Sequence, residues 1–246
     1  MDPRGRRYLI TLEPGAGFHT HAGILAHDDV IGGIEGSVVL GSTGRRFTVL
    51  RPTLAEVVLK MPRGAQVIYP KDLAAMLMAA DIAPGVVAIE TGVGSGALSM
   101  ALLRAGARVI GYELREDFAA RAKANVAATI GADARYSVTI GDAADGFHER
   151  GVDRVLLDLP EPWRVAPHAA EALRPGGILV SYLPTVNQTA QLRETLEHGP
   201  WGMEETFEVL RRTWHFSGRS ARPDHRMVAH TGFITVARRL APPDPA

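Results

Sequence analysis

The stretch "VVAIETGVGSGAL" at residues 86–98 runs from branched apolar residues through an acid and three glycines into a helix-forming segment. A short, continuous apolar run of this kind reads as a strand buried on both faces, and the glycines as a sharp turn from strand to helix. The same rhythm continues on both sides. Upstream, "KDLAAMLMAADI" (71–82) carries apolar residues at helical spacing and stops at "APG". Downstream come "ARVIGYE" (107–113), "EDFAARAKANVAATI" (116–130), "SVTIGD" (137–142) and "VDRVLLD" (152–158). They read as strand, helix, strand and strand, and are followed by a helix at "HAAEAL" (168–173), a strand at "GILVSYL" (177–183) and a helix at "TAQLRETLEH" (189–198). Strands alternating with crossover helices predict an α/β fold with a Rossmann-like, mostly parallel sheet covered on both faces. "TFEVLRRTWHF" (206–216) and "GFITVARRL" (232–240) have no long helix between them and predict an antiparallel hairpin at one edge.

The first sixty residues differ. "YLITL" (8–12), "GSVVL" (36–40) and "RRFTVL" (45–50) are β-prone pieces punctuated by glycine, which predicts a small β-barrel or meander. The expected organisation is a β-rich module over 1–63, a core domain over 64–240 and a flexible tail over 241–246. The chain has 246 residues, 46% hydrophobic and 22% charged, enough for a substantial core. Lys+Arg and Asp+Glu both number 27, so a nucleic-acid partner must be held by local patches rather than by overall charge. The absence of cysteine excludes disulfides and thiolate metal sites. "MDPRGRRYLI" has charge without a following apolar stretch, so no signal peptide is expected, and no segment approaches the length of a membrane span. A cytoplasmic location is the expectation.

Ligands of such sheets bind at the carboxyl ends of the strands. Four ends here carry acids or glycines: Glu90 with Gly92, Gly94 and Gly96; Glu113, 21 residues beyond Gly92; Asp142; and Asp158. The glycine spacing is G-x-G-x-G behind an acid, whereas a diphosphate-binding loop reads G-x-G-x-x-G and would be repelled by that acid. A cationic sulfonium with an amino-acid end suits the acids better. The set resembles motifs of class I S-adenosylmethionine-dependent methyltransferases, and S-adenosylmethionine is the expected cofactor. That resemblance implies Glu113 on the ribose hydroxyls, Asp142 on the adenine amine, and the Ser95–Leu98 backbone, with Ala97, beside the methionine end. Phe118, one turn into the next helix, is either an adenosine contact or a core phenylalanine.

The fourth strand leaves through "DLPEPW" (158–163), a stretched relative of the D/N-P-P-Y/F/W sequence of nucleic-acid amino methyltransferases. Prolines fix φ and stiffen such a ledge. In the resembling enzymes the acid binds an exocyclic amine and the aromatic ring stacks on the base. Asp158 is therefore the expected catalytic carboxylate, whose charge also favours the cationic cofactor, while Trp163 either stacks on a base or packs in the core. Together with "EPGAGFHTHAGILAHDDVIG" (13–32), "GAQVIYPKD" (64–72), "RPDHRMVAHTGF" (222–233) and "ARRLAP" (237–242), these motifs resemble the tRNA (adenine-58, N1)-methyltransferase family in its bacterial form. The resemblance implies a homotetramer that methylates N1 of the T-loop adenine of tRNA. It makes Tyr69 a contact of the target base, or else an anchor of the chain entering the core, and Gln66 a contact of cofactor or base.

Other readings remain: a methyltransferase of another RNA adenine or a small molecule, a non-catalytic RNA-binding subunit, or an NAD-linked oxidoreductase. His19, His21 and His27 invite a metal, but no acid is placed to complete a set, so no metal is expected. "RGRR" (4–7), "GRR" (44–46) and Arg211, Arg212, Arg219, Arg222 and Arg226 are candidate phosphate contacts.

Overall fold

A computed structural model describes residues 1–64 and 66–242. Ala65 and the end of the expected tail, residues 243–246, lie outside the described residues. The chain divides into two compact units, Met1–Met61 and the remainder from Pro62.

The first unit holds β1 (Gly17–Thr20), β2 (Gly23–Ala26), β3 (Val38–Leu40), β4 (Arg46–Thr48) and helix α1 (Leu54–Lys60). β1–β2 and β3–β4 are separate two-stranded antiparallel sheets, not the barrel or meander expected from the sequence. Strands of three or four residues, broken by glycines such as Gly32 and Gly36 in the left-handed region, cannot extend one ladder into the next. "YLITL" forms no strand. Helix α1 was not expected either. It is started by a capping box, in which Thr53 accepts from the Glu56 amide and Glu56 accepts from the Thr53 amide. Phe47, Leu25, Ala22 and Val30 make a small core.

The second unit runs α2 (Pro70–Ala79), β5 (Val87–Thr91), α3 (Ala97–Arg104), β6 (Arg108–Glu113), α4 (Glu116–Thr129) and β7 (Tyr136–Ile140). A 3-10 turn (Ala143–Asp145) leads to β8 (Val152–Leu157), α5 (Pro162–Ala172), β9 (Leu173–Leu183) and α6 (Val186–Glu197). The chain closes with β10 (Trp201–Phe207), a small hairpin of β11 (Trp214–Ser217) and β12 (Ser220–Pro223), and β13 (Phe233–Arg239). Seven strands form one sheet in the order β10-β13-β9-β8-β5-β6-β7. β9 to β7 are parallel, while β13 and β10 run antiparallel at the edge, as the sequence predicts.

Two expectations need correction. "TFEVLRRTWHF" is not one strand: β10 ends at Phe207, and Trp214–Phe216 belongs to the separate β11–β12 hairpin. Helix α5 starts at Pro162, six residues before "HAAEAL", because proline suits the first helical position, where its missing N–H is not needed.

Burial explains the strand sequences. β5 and β8 lie inside the parallel sheet, with Ile89, Val155, Leu156 and Leu157 fully buried. Helix α3 is buried from Ala97 to Leu103 and so is apolar almost all round. One charged residue on β8 is also buried. The Arg154 guanidinium donates to the carbonyls of Ala80 and Asp81 and so satisfies the carboxyl end of α2.

Candidate active site

The chain reverses its direction across the sheet between β5 and β8, and a cavity of about 640 Å³ opens at the carboxyl ends of the strands there. It collects the acids predicted from the sequence. Glu90 lies one residue before the end of β5, Glu113 is the last residue of β6, Asp142 follows β7 and Asp158 follows β8. All four line the cavity.

Glu90 is almost wholly out of water. Its Oε2 accepts from the Ser99 hydroxyl on α3 at 2.6 Å, while Oε1 is buried without a partner among the described residues. Burial pushes the Glu90 carboxyl up to about 8; the Ser99 hydrogen bond opposes this, and the charges of Asp158 and Glu113 add to it. Burial likewise lifts Asp158 to about 7, with Glu113 contributing. Such a pocket favours a cation, which would relieve both groups. The Glu90 Oε1 acceptor and the buried Ser95 hydroxyl, which has no partner among the described residues, are what an ammonium and a carboxylate of an amino-acid group require. The residues present therefore fit S-adenosylmethionine.

The glycine turn shapes the floor. Gly92, Gly94 and Gly96 all have positive φ, at 73°, 56° and 81°. The Gly92 amide donates to the Tyr112 carbonyl and the Asp158 amide to that of Thr91, which fastens the turn and the Asp158 ledge to the sheet. The Gly94 amide donates to Glu113 Oε2 at 2.9 Å, and the Arg115 amide to Oε1 at 3.0 Å. A carboxylate accepts about four hydrogen bonds, so Glu113 keeps room for a diol. Asp142 Oδ1 caps the 3-10 turn by accepting from the Ala144 amide, and Oδ2 lies 3.9 Å from the Arg164 guanidinium. Ser95, Ala97 and Leu98 line the cavity, as does Phe118, whose ring carries the Arg115 guanidinium 3.9 Å from its centroid.

Three predicted residues stand elsewhere. Gly96 is turned away from the cavity, and a Cβ there would lie 3.2 Å from the Ala122 carbonyl, so its smallness serves the contact of α3 with α4. Gln66, Val67 and Ile68 form a cavity wall, but the next residue, Tyr69, is the N-cap of α2 and is not part of the lining. In "DLPEPW", residues 158 to 161 line the cavity, whereas Trp163 sits in the first turn of α5 away from it.

Sequence reasoning missed Leu114, Arg115, Arg164, Tyr182 and Gln188, all of which line the cavity. A signal existed for Tyr182. It is the next-to-last residue of β9, a fifth parallel strand whose end also opens there. The histidines do not form a set: His19 is on β1, His21 lies in the turn after it, and buried His27 accepts the Glu13 amide through Nδ1 at 3.0 Å. Among the described residues, no group of three or more His, Asp or Glu is placed to hold a metal, and no helix is long and apolar enough to cross a membrane.

Comparison with known proteins agrees with this geometry. A family profile described as "tRNA methyltransferase complex GCD14 subunit" matches residues 47–221, and one described as "TrmI-like N-terminal" matches residues 1–39. The chain is 38% identical over 242 residues to the tRNA (adenine(58)-N(1))-methyltransferase TrmI of Thermus thermophilus, covering 97% of this chain and 94% of that protein. A crystal structure of a SAM-dependent O-methyltransferase from Thermotoga maritima superposes with a TM-score of 0.94 at 33% identity, covering 99% of this chain and 92% of that one. The tRNA (m1A58) methyltransferase TrmI of Aquifex aeolicus gives 0.86 at 29% identity, with coverage of 97% and 94%. With both units matched and the strand-end acids gathered around one cavity, the chain belongs to the tRNA (adenine-58, N1)-methyltransferase family.

Proposed function

We propose that this protein transfers a methyl group from S-adenosylmethionine to N1 of adenine 58 in the T-loop of tRNA. Beyond family membership, one observation carries the reading: the Asp158 carboxyl stands on a fixed ledge in the same cavity as the unpaired Glu90 oxygen.

The cofactor supplies the methyl group as an electrophile on a sulfonium. When the cofactor is bound, Glu90 would take its ammonium end, the Ser95–Leu98 turn its methionine end, Glu113 its ribose hydroxyls and Asp142 its adenine amine. Phe118 and Gln66 flank the bound nucleoside. N1 of adenine lies on the pairing edge, so the base must leave its stack to enter the cavity. N1 is a weakly basic nucleophile, and holding it in line with the methyl group supplies much of the rate. As N1 becomes positive, its N6 amine becomes a stronger donor. Asp158 accepts that hydrogen bond and so stabilises the transition state more than the ground state. Tyr69, beside the Gln66–Ile68 wall, is assigned to the target base rather than to the cofactor.

The protein acts in the cytoplasm as a homotetramer. The module at residues 1–63 serves tRNA binding or assembly. Arginines of "RGRR", "GRR" and the 211–226 segment contact phosphates, since a chain with no net charge must localise its positive groups.

The test is to incubate the protein with unmodified tRNA and S-adenosylmethionine, then digest and analyse the nucleosides by mass spectrometry. The expected product is 1-methyladenosine at position 58, absent when that adenine is replaced. Methylation of a small molecule only would contradict the reading, and so would methylation at an oxygen, which would agree with the O-methyltransferase name of the Thermotoga relative.

A further inference from the structure

Behind the Tyr182 side of the cavity lies a second polar cluster. Asp72, in the first turn of α2, is fully buried, and only a tenth of the neighbouring Lys71 side chain reaches solvent. Charged groups so far from water need complete compensation. Lys71 Nζ donates to Asp72 Oδ1 at 2.7 Å, to the Val209 carbonyl at 2.5 Å and to Thr231 Oγ1 at 2.6 Å, which uses all three of its protons. The Thr231 hydroxyl donates to Asp72 Oδ2 at 2.7 Å, and the Tyr182 hydroxyl approaches the same oxygen at 3.4 Å.

The position of these partners in the chain gives the cluster its meaning. Val209 and Thr231 are the two stems of the segment that leaves β10 and returns as β13. The same stems carry a second fastening. His230 contacts Glu208 Oε2 through Nδ1 at 3.0 Å and the Pro184 carbonyl through Nε2 at 2.8 Å. Next to them, a Cβ on Gly232 would lie 2.4 Å from the Tyr182 ring, so backbone and ring are in close contact. Tyr182 and Pro184 both line the cavity. The segment thus bound carries the exposed side chains of Arg211, Arg212, Trp214, Phe216, Arg219, Arg222 and Arg226.

We propose that Lys71 is a positioning residue for methyl transfer. Acting through Asp72 and Thr231, it fixes Tyr182 in the cavity wall and ties the exposed 209–231 segment to that wall. This rests on the methyltransferase reading above. A buried ion pair adds little net stability over a well-packed apolar replacement, so what this pair contributes is geometry. Misplacing a wall of a reaction site by about 1 Å lowers a rate by roughly 100-fold.

The test compares wild type with Thr231→Val, Thr231→Ser and Lys71→Met, each in the full chain, measuring kcat, the KM for tRNA and the Kd for S-adenosylmethionine. Thr231→Val keeps shape and removes the hydroxyl that accepts from Lys71 and donates to Asp72 Oδ2. It is expected to lower kcat by about 10-fold to 100-fold, with the Kd for S-adenosylmethionine held within about twofold, a split that general loosening would not give. Thr231→Ser should restore most of the rate, and Lys71→Met should fall with the valine variant. A folded Thr231→Val protein with wild-type kcat, or a loss that serine does not restore, overturns the proposal. If Lys71→Met does not fold, the threonine pair decides alone. A wild type that methylates tRNA in this assay upholds the parent reading whatever the variants do; an inert wild type removes both.

Discussion

Gly92 and Asp158 meet backbone to backbone: a Cβ on Gly92 would fall 1.9 Å from the Asp158 carbonyl oxygen. That separation is far inside van der Waals contact, and the positive φ of Gly92 adds strain for any other residue. The cofactor turn and the acceptor-side ledge are therefore one construction.

Gly92→Ala is accordingly expected to displace both. Methyl transfer should drop by at least about 100-fold, with weaker S-adenosylmethionine binding by calorimetry. Gly96→Ala meets the backbone and Cβ of Ala122 at 3.2–3.3 Å and takes a positive φ, so it should lower Tm while sparing much of the activity of the folded protein.

Glu90 and Asp158 give the empty site a definite pH response. Their carboxyls stand at about 8 and about 7, above ordinary carboxyl values, mainly because of burial. The folded, empty protein then holds protons that the unfolded chain releases near pH 4.5 or below, so its stability falls as pH rises from there to about 8. A bound cation favours the ionised forms. Binding of S-adenosylmethionine should release protons, tighten as pH rises through 7 to 8, and raise Tm most at the alkaline end. Calorimetry in buffers of different ionisation enthalpy measures the release. Affinity independent of pH between 6 and 9 would contradict this assignment.

Ser99 gives the one hydrogen bond found to the Glu90 carboxyl among the described residues, from a fully buried position on α3. Ser99→Ala should destabilise the protein by about 1–3 kcal/mol, because a buried acceptor loses its donor. The pH at which S-adenosylmethionine binding is half-maximal should rise, since the bond favours the ionised carboxylate. Chemical denaturation and binding at several pH values check the two effects separately.

For tRNA the response to salt is the signature. Affinity should fall steeply with ionic strength, and replacing one arginine of the 211–226 segment, if it is a phosphate contact as proposed, should reduce the logarithmic slope by about one. A flat salt response would remove these arginines from the interface.

The parallel core was legible because strands covered on both faces are written as unbroken apolar runs, as in "VVAIE" and "VDRVLL". The acids at their ends were legible because a charge that ends such a run has few structural reasons to be there. The first unit was harder to read. β1 buries none of its four residues fully, and α1 buries only Val57 and Val58, so neither carries a strong apolar pattern. The start of α5 was hidden because the prolines of "DLPEPW" read as a stiff ledge, although Pro162 occupies the first helical position. Lys71 and Thr231 are 160 residues apart, and nothing local in either segment foretells their contact.

In the proposed mechanism Asp158 acts chiefly on the accepting base, its charge adding only secondarily to cofactor binding. Asp158→Ala measures this role directly, through single-turnover methylation of tRNA alongside the Kd for S-adenosylmethionine. The expected result is a rate lowered by about 100-fold or more with a much smaller change in Kd. An unchanged rate, or a loss of cofactor affinity as large as the loss of rate, would contradict it.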